Sequence, residues 1–157
     1  MKFTNEPPEN APQMLAMAKS DLSIARVGKI TNDTKYETLC MLCQQAIEKS
    51  LKSLMIYHKV PYPRDHSIEN LIAEMEKRQI FLPDGIKALA IAFVTVEGGF
   101  SFPLTFPMNF GTAIPLSEYA KDRRYALSKK PLEEQNYKNV LARCEKIVEW
   151  VEQQIQK

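Results

Sequence analysis

The sequence predicts an all-α protein, an antiparallel up-and-down bundle of four to five helices. Three observations carry this. Only 5 of 157 residues are glycine, too few for a turn-rich β fold. Apolar residues recur every three to four positions over several long stretches. Helix-start signals, a capping residue or a proline, stand before most of those stretches.

The elements follow in chain order. Residues 1–10 are polar and proline-rich and read as a flexible leader. Residues 11–157 then form a single helical domain, as the length permits. Asn10 caps a first helix with Pro12 tolerated early in it. Leu15, Ala18, Leu22 and Ala25 give it one apolar stripe as far as Gly28. "TNDT" makes a turn. Thr34 with Glu37 forms a capping box, opening a second helix over 35–59. Leu39, Cys43, Ala46, Ser50, Leu54 and Tyr57 share a face, widened by Cys40, Ile47, Leu51 and Met55. So wide a band predicts the central helix of a bundle. Glu48 and Lys52, four apart in the favourable order, support it.

Pro61 and Pro63 end the second helix. Ser67 caps a third over 68–79, with Ile68, Leu71, Ile72 and Met75 inward. Pro83 and Asp84 start a fourth near Gly85. Its end, "IAFVTVE", is β-branched, yet the expectation is helix. Residues 98–116 hold four phenylalanines and three prolines. The prolines destroy any helical period, so this is a Phe/Pro-rich loop between the fourth helix and the C-terminal helices, packing on the bundle or on a partner. Helical character returns at "SEYAKDRRYAL". Pro131, Glu133 and Glu134 open the last helix, whose stripe is Tyr137, Val140, Leu141, Cys144, Ile147, Val148, Val151 and Ile155.

Bulk properties restrict function. A formal net charge of +2 does not mark a nucleic-acid binder, so any electrostatic footprint is local. No apolar run spans a bilayer, and the polar N-terminus is no signal peptide. The expected location is cytoplasmic, without membrane partners. Three cysteines argue for reduced thiols rather than a disulfide framework. Cys40 and Cys43 form a C-x-x-C, but zinc would need two more ligands from Cys144, His58 and His66, which have no paired spacing. Both cysteines fit a buried helix face. His58 is read as partly buried. Neither metal nor cofactor is expected.

Two places carry chemistry. Lys121–Lys130 holds five positive charges and one negative, +4 in ten residues. Arg123, Arg124 and Tyr125 there combine forked donors with a stacking ring, which suits phosphate and base contacts; a solvated basic helix end is the alternative. At the corner Pro61–His66, Arg64 and His66 stand before a helix start. His66 is the one candidate acid–base catalyst, although an imidazole here also suits holding the loop. No phosphate-binding glycine loop, serine elbow or paired acidic metal motif occurs.

"SDLSIA", "LCMLCQQAIEKSLKSLMIYHKVPYPRDHSIENLI" and "RRYA" together resemble the HEPN family (higher eukaryotes and prokaryotes nucleotide-binding), from about residue 11 to 155. The resemblance implies a helical bundle, commonly a homodimer, in a family of nucleic-acid- and nucleotide-linked proteins, and a prokaryotic source is expected for this one. Many members sit beside a minimal nucleotidyltransferase as toxin–antitoxin pairs. Toxin members cleave RNA without metal, using an Arg followed four to six residues later by a His. Here Arg123 and Arg124 stand where the family has a basic Arg-Tyr stretch, but no histidine follows His66. The resemblance therefore implies a nucleotide- or RNA-binding protein without the usual RNase motif, acting with a partner. One alternative is a metal-independent endoribonuclease toxin using His66. Another is a dimeric interaction module built on Phe100–Phe110.

Overall fold

In the computed structural model the described residues are 10–28, 31, 33–64, 67–91, 93–95, 100–101, 113–115 and 133–156. They contain five α-helices: α1 (Ala11–Val27), α2 (Tyr36–Tyr57), α3 (Ile68–Lys77), α4 (Asp84–Ala90) and α5 (Glu134–Ile155). The all-α bundle is thus the architecture of the chain. Residues 1–9, and the helix expected from Ser117 onward, lie outside the described residues.

The central position of α2 follows from its sequence. Thirteen of its 22 residues are buried, more than one apolar stripe can supply. Helix α1 runs antiparallel to it, as the Asp21–Lys49 ion pair (2.6 Å) and the contact of Gly28 with Leu39 both require. A Cβ on Gly28 would collide with a Leu39 methyl, so a larger residue there would push the Leu39 side chain aside. Helix α5 is also antiparallel to α1. Lys19 pairs with Glu152 (2.9 Å) and Arg26 with Glu145 (3.3 Å). It lies against α2 in the same direction, with Cys144 Sγ donating to the Cys43 carbonyl at 3.4 Å. The core is the meeting of the predicted stripes, with Ile47, Leu51, Met55, Ile68, Leu71, Met75 and Ile147 fully buried.

The caps of α1 and α3 are those the sequence predicts, whereas Glu133, expected within the first turn of the last helix, is its N-cap. Asn10 accepts from the Gln13 amide at 2.9 Å, and Ser67 from the Asn70 amide at 3.2 Å. Glu133 caps α5 in a capping box with Asn136. Helix α2 differs: its N-cap is Lys35, with no side-chain cap bond. Thr34 is engaged elsewhere, because its amide donates to Thr31 Oγ at 3.0 Å in the preceding turn. Helices α2 and α3 end alike. Lys59 (φ 58°) and Gln79 (φ 60°) take the left-handed conformation. The Val60 and Ile80 amides reach back to the Met55 and Met75 carbonyls, a Schellman closure made without glycine.

The helix expected through "IAFVTVE" stops at Ala90. Phe93–Thr95 is strand β1, paired antiparallel with β2 (Phe100–Ser101) and β3 (Ala113–Pro115) in the order β2-β1-β3. Phe93 registers with Ser101 and Pro115, and Val94 with Phe100 and Ile114. β-branched residues with strand partners on both sides favour extended backbone over a helix extension. Two pieces of the expected loop are therefore strand; its other residues lie outside the described set. Tyr57 and His58 are exposed rather than inward, because the turn closing α2 carries them past the core.

Two measurements test this. Ser67→Ala should cost about 1 kcal/mol in urea unfolding by removing the α3 cap. Tyr137 donates its hydroxyl to the Ala25 carbonyl, and burial pushes its pKa up. A folded pKa above the unfolded one means this stability is fully present below about pH 10 and is lost as pH rises through the folded value. Tyr137→Phe should cost about 1 kcal/mol at pH 8 and show a smaller fall between pH 9 and 11.

Candidate functional site

The second half of α2 brings a charge to the Pro-rich corner. Gln44, Glu48 and Lys52 are spaced by four and so share one face. All three are buried. Lys52 Nζ donates to Glu48 Oε1 at 2.6 Å, with both side chains under a tenth exposed. The same ammonium lies 5.3 Å from the ring centroid of Tyr62, which the two flanking prolines hold over the helix end. That places a desolvated cation against an aromatic face. Burial raises the Tyr62 pKa, and the Arg64 guanidinium pulls it the other way. Arg64 itself is exposed in the bend. The corner is thus layered, with a carboxylate–ammonium pair inside, an aromatic ring over it and a guanidinium in solvent.

Of the sequence-predicted site residues, Arg64 falls on this corner. His66, Arg123, Arg124 and Tyr125 lie outside the described residues. Ser67, which follows His66, is buried and caps α3, so the chain passes directly from the corner into a helix start. Cys40 and Cys43 are buried among apolar residues, as the core reading expects. Burial raises the Cys40 thiol well above its ordinary pKa, and a bond with Cys43 does the same for Cys144, so neither is a ready thiolate.

Sequence reasoning missed two features. Glu48 and Lys52 were legible as a pair supporting a helix, but not as a buried one. Their burial was legible only in the breadth of the apolar band around them, which leaves no face for solvent. Arg143 on α5 is buried, between Val140 and Ile147 on one face, and desolvation lowers its pKa to about 10. It sits beside Cys144 on the predicted stripe, but a single charge there carries no signal of burial.

The described residues thus form a small helical bundle with a buried Glu–Lys pair beneath a proline corner. The chain matches the HEPN domain model over residues 11–154 and belongs to that family, one of nucleotide-binding and RNA-related domains. It is similar in fold to the crystal structure of an archaeal HEPN homologue, with TM-score 0.62 and 23% identity, covering 94% of this chain and 99% of that one. No curated protein matches. Among the described residues, no helix is long and apolar enough to cross a membrane.

Truncating one member of the buried pair tests its role. Lys52→Ala leaves a carboxylate without its ammonium partner in the interior and should cost about 3 kcal/mol in urea unfolding. Combining Lys52→Met with Glu48→Gln should restore most of it, a coupling that a surface pair would not show.

Proposed function

We propose that this protein binds a nucleotide or RNA phosphate through Arg123, Arg124 and Tyr125, with Arg64 and His66 near that surface, and works with a partner rather than as the family's usual ribonuclease. The observation that carries the reading is family membership over residues 11–154 joined to a local charge of +4 over Lys121–Lys130 in a chain whose total is only +2. A cationic cluster that exceeds the net charge of the whole molecule is a local footprint for polyanions. Guanidinium forks fit phosphate oxygens, and the adjacent phenol ring offers a base a stacking face.

The absence of any histidine after His66 removes the Arg-then-His arrangement and with it the means of general acid–base cleavage at this cluster. The reading therefore assigns binding without turnover. The partner is a protein of the minimal nucleotidyltransferase class, and the protein itself is a homodimer in the cytoplasm of a prokaryote.

The test is equilibrium binding of ATP and of a short RNA at rising salt. Arg123→Ala with Arg124→Ala should weaken RNA binding at least tenfold at low salt and flatten the plot of log K against log salt by about two phosphate contacts. Binding insensitive to both salt and the double substitution would defeat the reading. Cleavage of the RNA, lost in His66→Ala, would replace it with the endoribonuclease alternative.

A further inference from the structure

At the C-terminal end of α2 an open cleft of about 310 Å³ lies between the two left-handed helix closures and the second half of α5. Leu54 and Ile80, both buried, form its floor. Three aromatic side chains line it. Phe81 is 67% exposed and Tyr57 41% exposed, while Trp150 packs partly on the core. Rings left this open to water are held there by the chain rather than by the core. Phe81 follows the left-handed Gln79 closely, and Tyr57 ends α2 with its ring edge-on to His58 at 5.3 Å. The polar groups of its lining are the Gln79 and Gln154 side chains and the His58 imidazole. Carboxamide and imidazole groups carry both donors and acceptors, and among the described residues no acidic one lines the cleft.

We infer that this cleft is a stacking pocket for one unpaired nucleobase, carried by a free nucleotide or by a single RNA strand. The inference rests on the nucleotide- or RNA-binding reading above and adds a second contact to it, separate from the basic run. Several facts select a base over other occupants. Ligand pockets span about 300–1,000 Å³, so this one suits a single ring system rather than a whole dinucleotide. Aromatic faces stack any base, and carboxamide and imidazole groups match the mixed donors and acceptors of a base edge. The carbonyl ends of α2 and α3 meet here, and their partial negative charge disfavours a phosphate inside. The cations stand beside the cleft instead. Lys59 follows His58, and Arg78 precedes Gln79 with Lys77 before it, all three exposed; Lys77 and Arg78 share Glu74 as an ion partner at 3.7 and 3.5 Å. A base within and its phosphate outside is the arrangement that this charge distribution complements.

Trp150 is the only tryptophan of the chain, so its fluorescence reports occupancy. The full-length protein is titrated at low salt with AMP, with a single-stranded oligoadenylate and with an abasic strand of equal length. Quenching by either base-bearing ligand, and none by the abasic strand, is expected; AMP alone or the oligonucleotide alone would identify where the base comes from. Phe81→Ala and Tyr57→Ala, at exposed positions where folding is retained, should each weaken the base-bearing ligand about tenfold and leave the salt slope unchanged. Equal binding of the abasic strand, or full affinity in both variants, overturns the pocket while the phosphate-binding reading stands. No binding of any ligand overturns both.

Discussion

The structure depends on burying α2 from every side. Its 22 residues carry Gln44, Glu48 and Lys52 along with its cysteines and most of its aliphatic side chains, and these are removed from water. Taking a carboxylate and an ammonium out of water is expensive unless they meet, and the i, i+4 spacing brings them together at 2.6 Å. Ser50 and Ser53 solve the same problem locally, donating to the Ile47 and Ser50 carbonyls. With its polar groups satisfied inside the helix or at the corner, α2 can serve as the axis against which α1 and α5 pack.

That constraint explains the proline corner. A chain that left α2 without a sharp stop would carry its apolar face past the core. The left-handed Lys59, then Pro61 and Pro63, turn the chain back. Tyr62 is thereby set over Lys52, and Ser67 caps α3 within a few residues. The corner is consequently both a helix connection and the covering of a buried charge. Arg64, projecting from it, is the one predicted contact residue that the described structure places at the surface.

The two ends of the bundle differ in character. At one, Tyr137 ties the start of α5 to the end of α1 through the Ala25 carbonyl, and its ring lies 5.6 Å from that of Tyr36. Polar hydroxyls and rings there are used up in joining helices. At the other, Tyr57, Phe81 and Trp150 line an open cleft. Aromatic area left facing solvent is uncommon enough in a small bundle to direct attention to recognition rather than stability.

The sequence by itself determined the helical class, the stripes of α1, α3 and α5 and the caps of α1 and α3, because those signals are local: a 3.6-residue period and a side chain within reach of its own amides. It also determined that no histidine follows the arginines of the basic run. Tertiary structure decided what depends on distant neighbours. It buried the helix-supporting pair Glu48 and Lys52, and it ended α4 at Ala90 because β1 found strand partners up to some twenty residues away in sequence. It moved Tyr57 from the inward face, and His58 from partial burial, to solvent and joined them to Phe81 and Trp150. Periodicity reports which residues share a helix face; only the packed chain settles which faces meet.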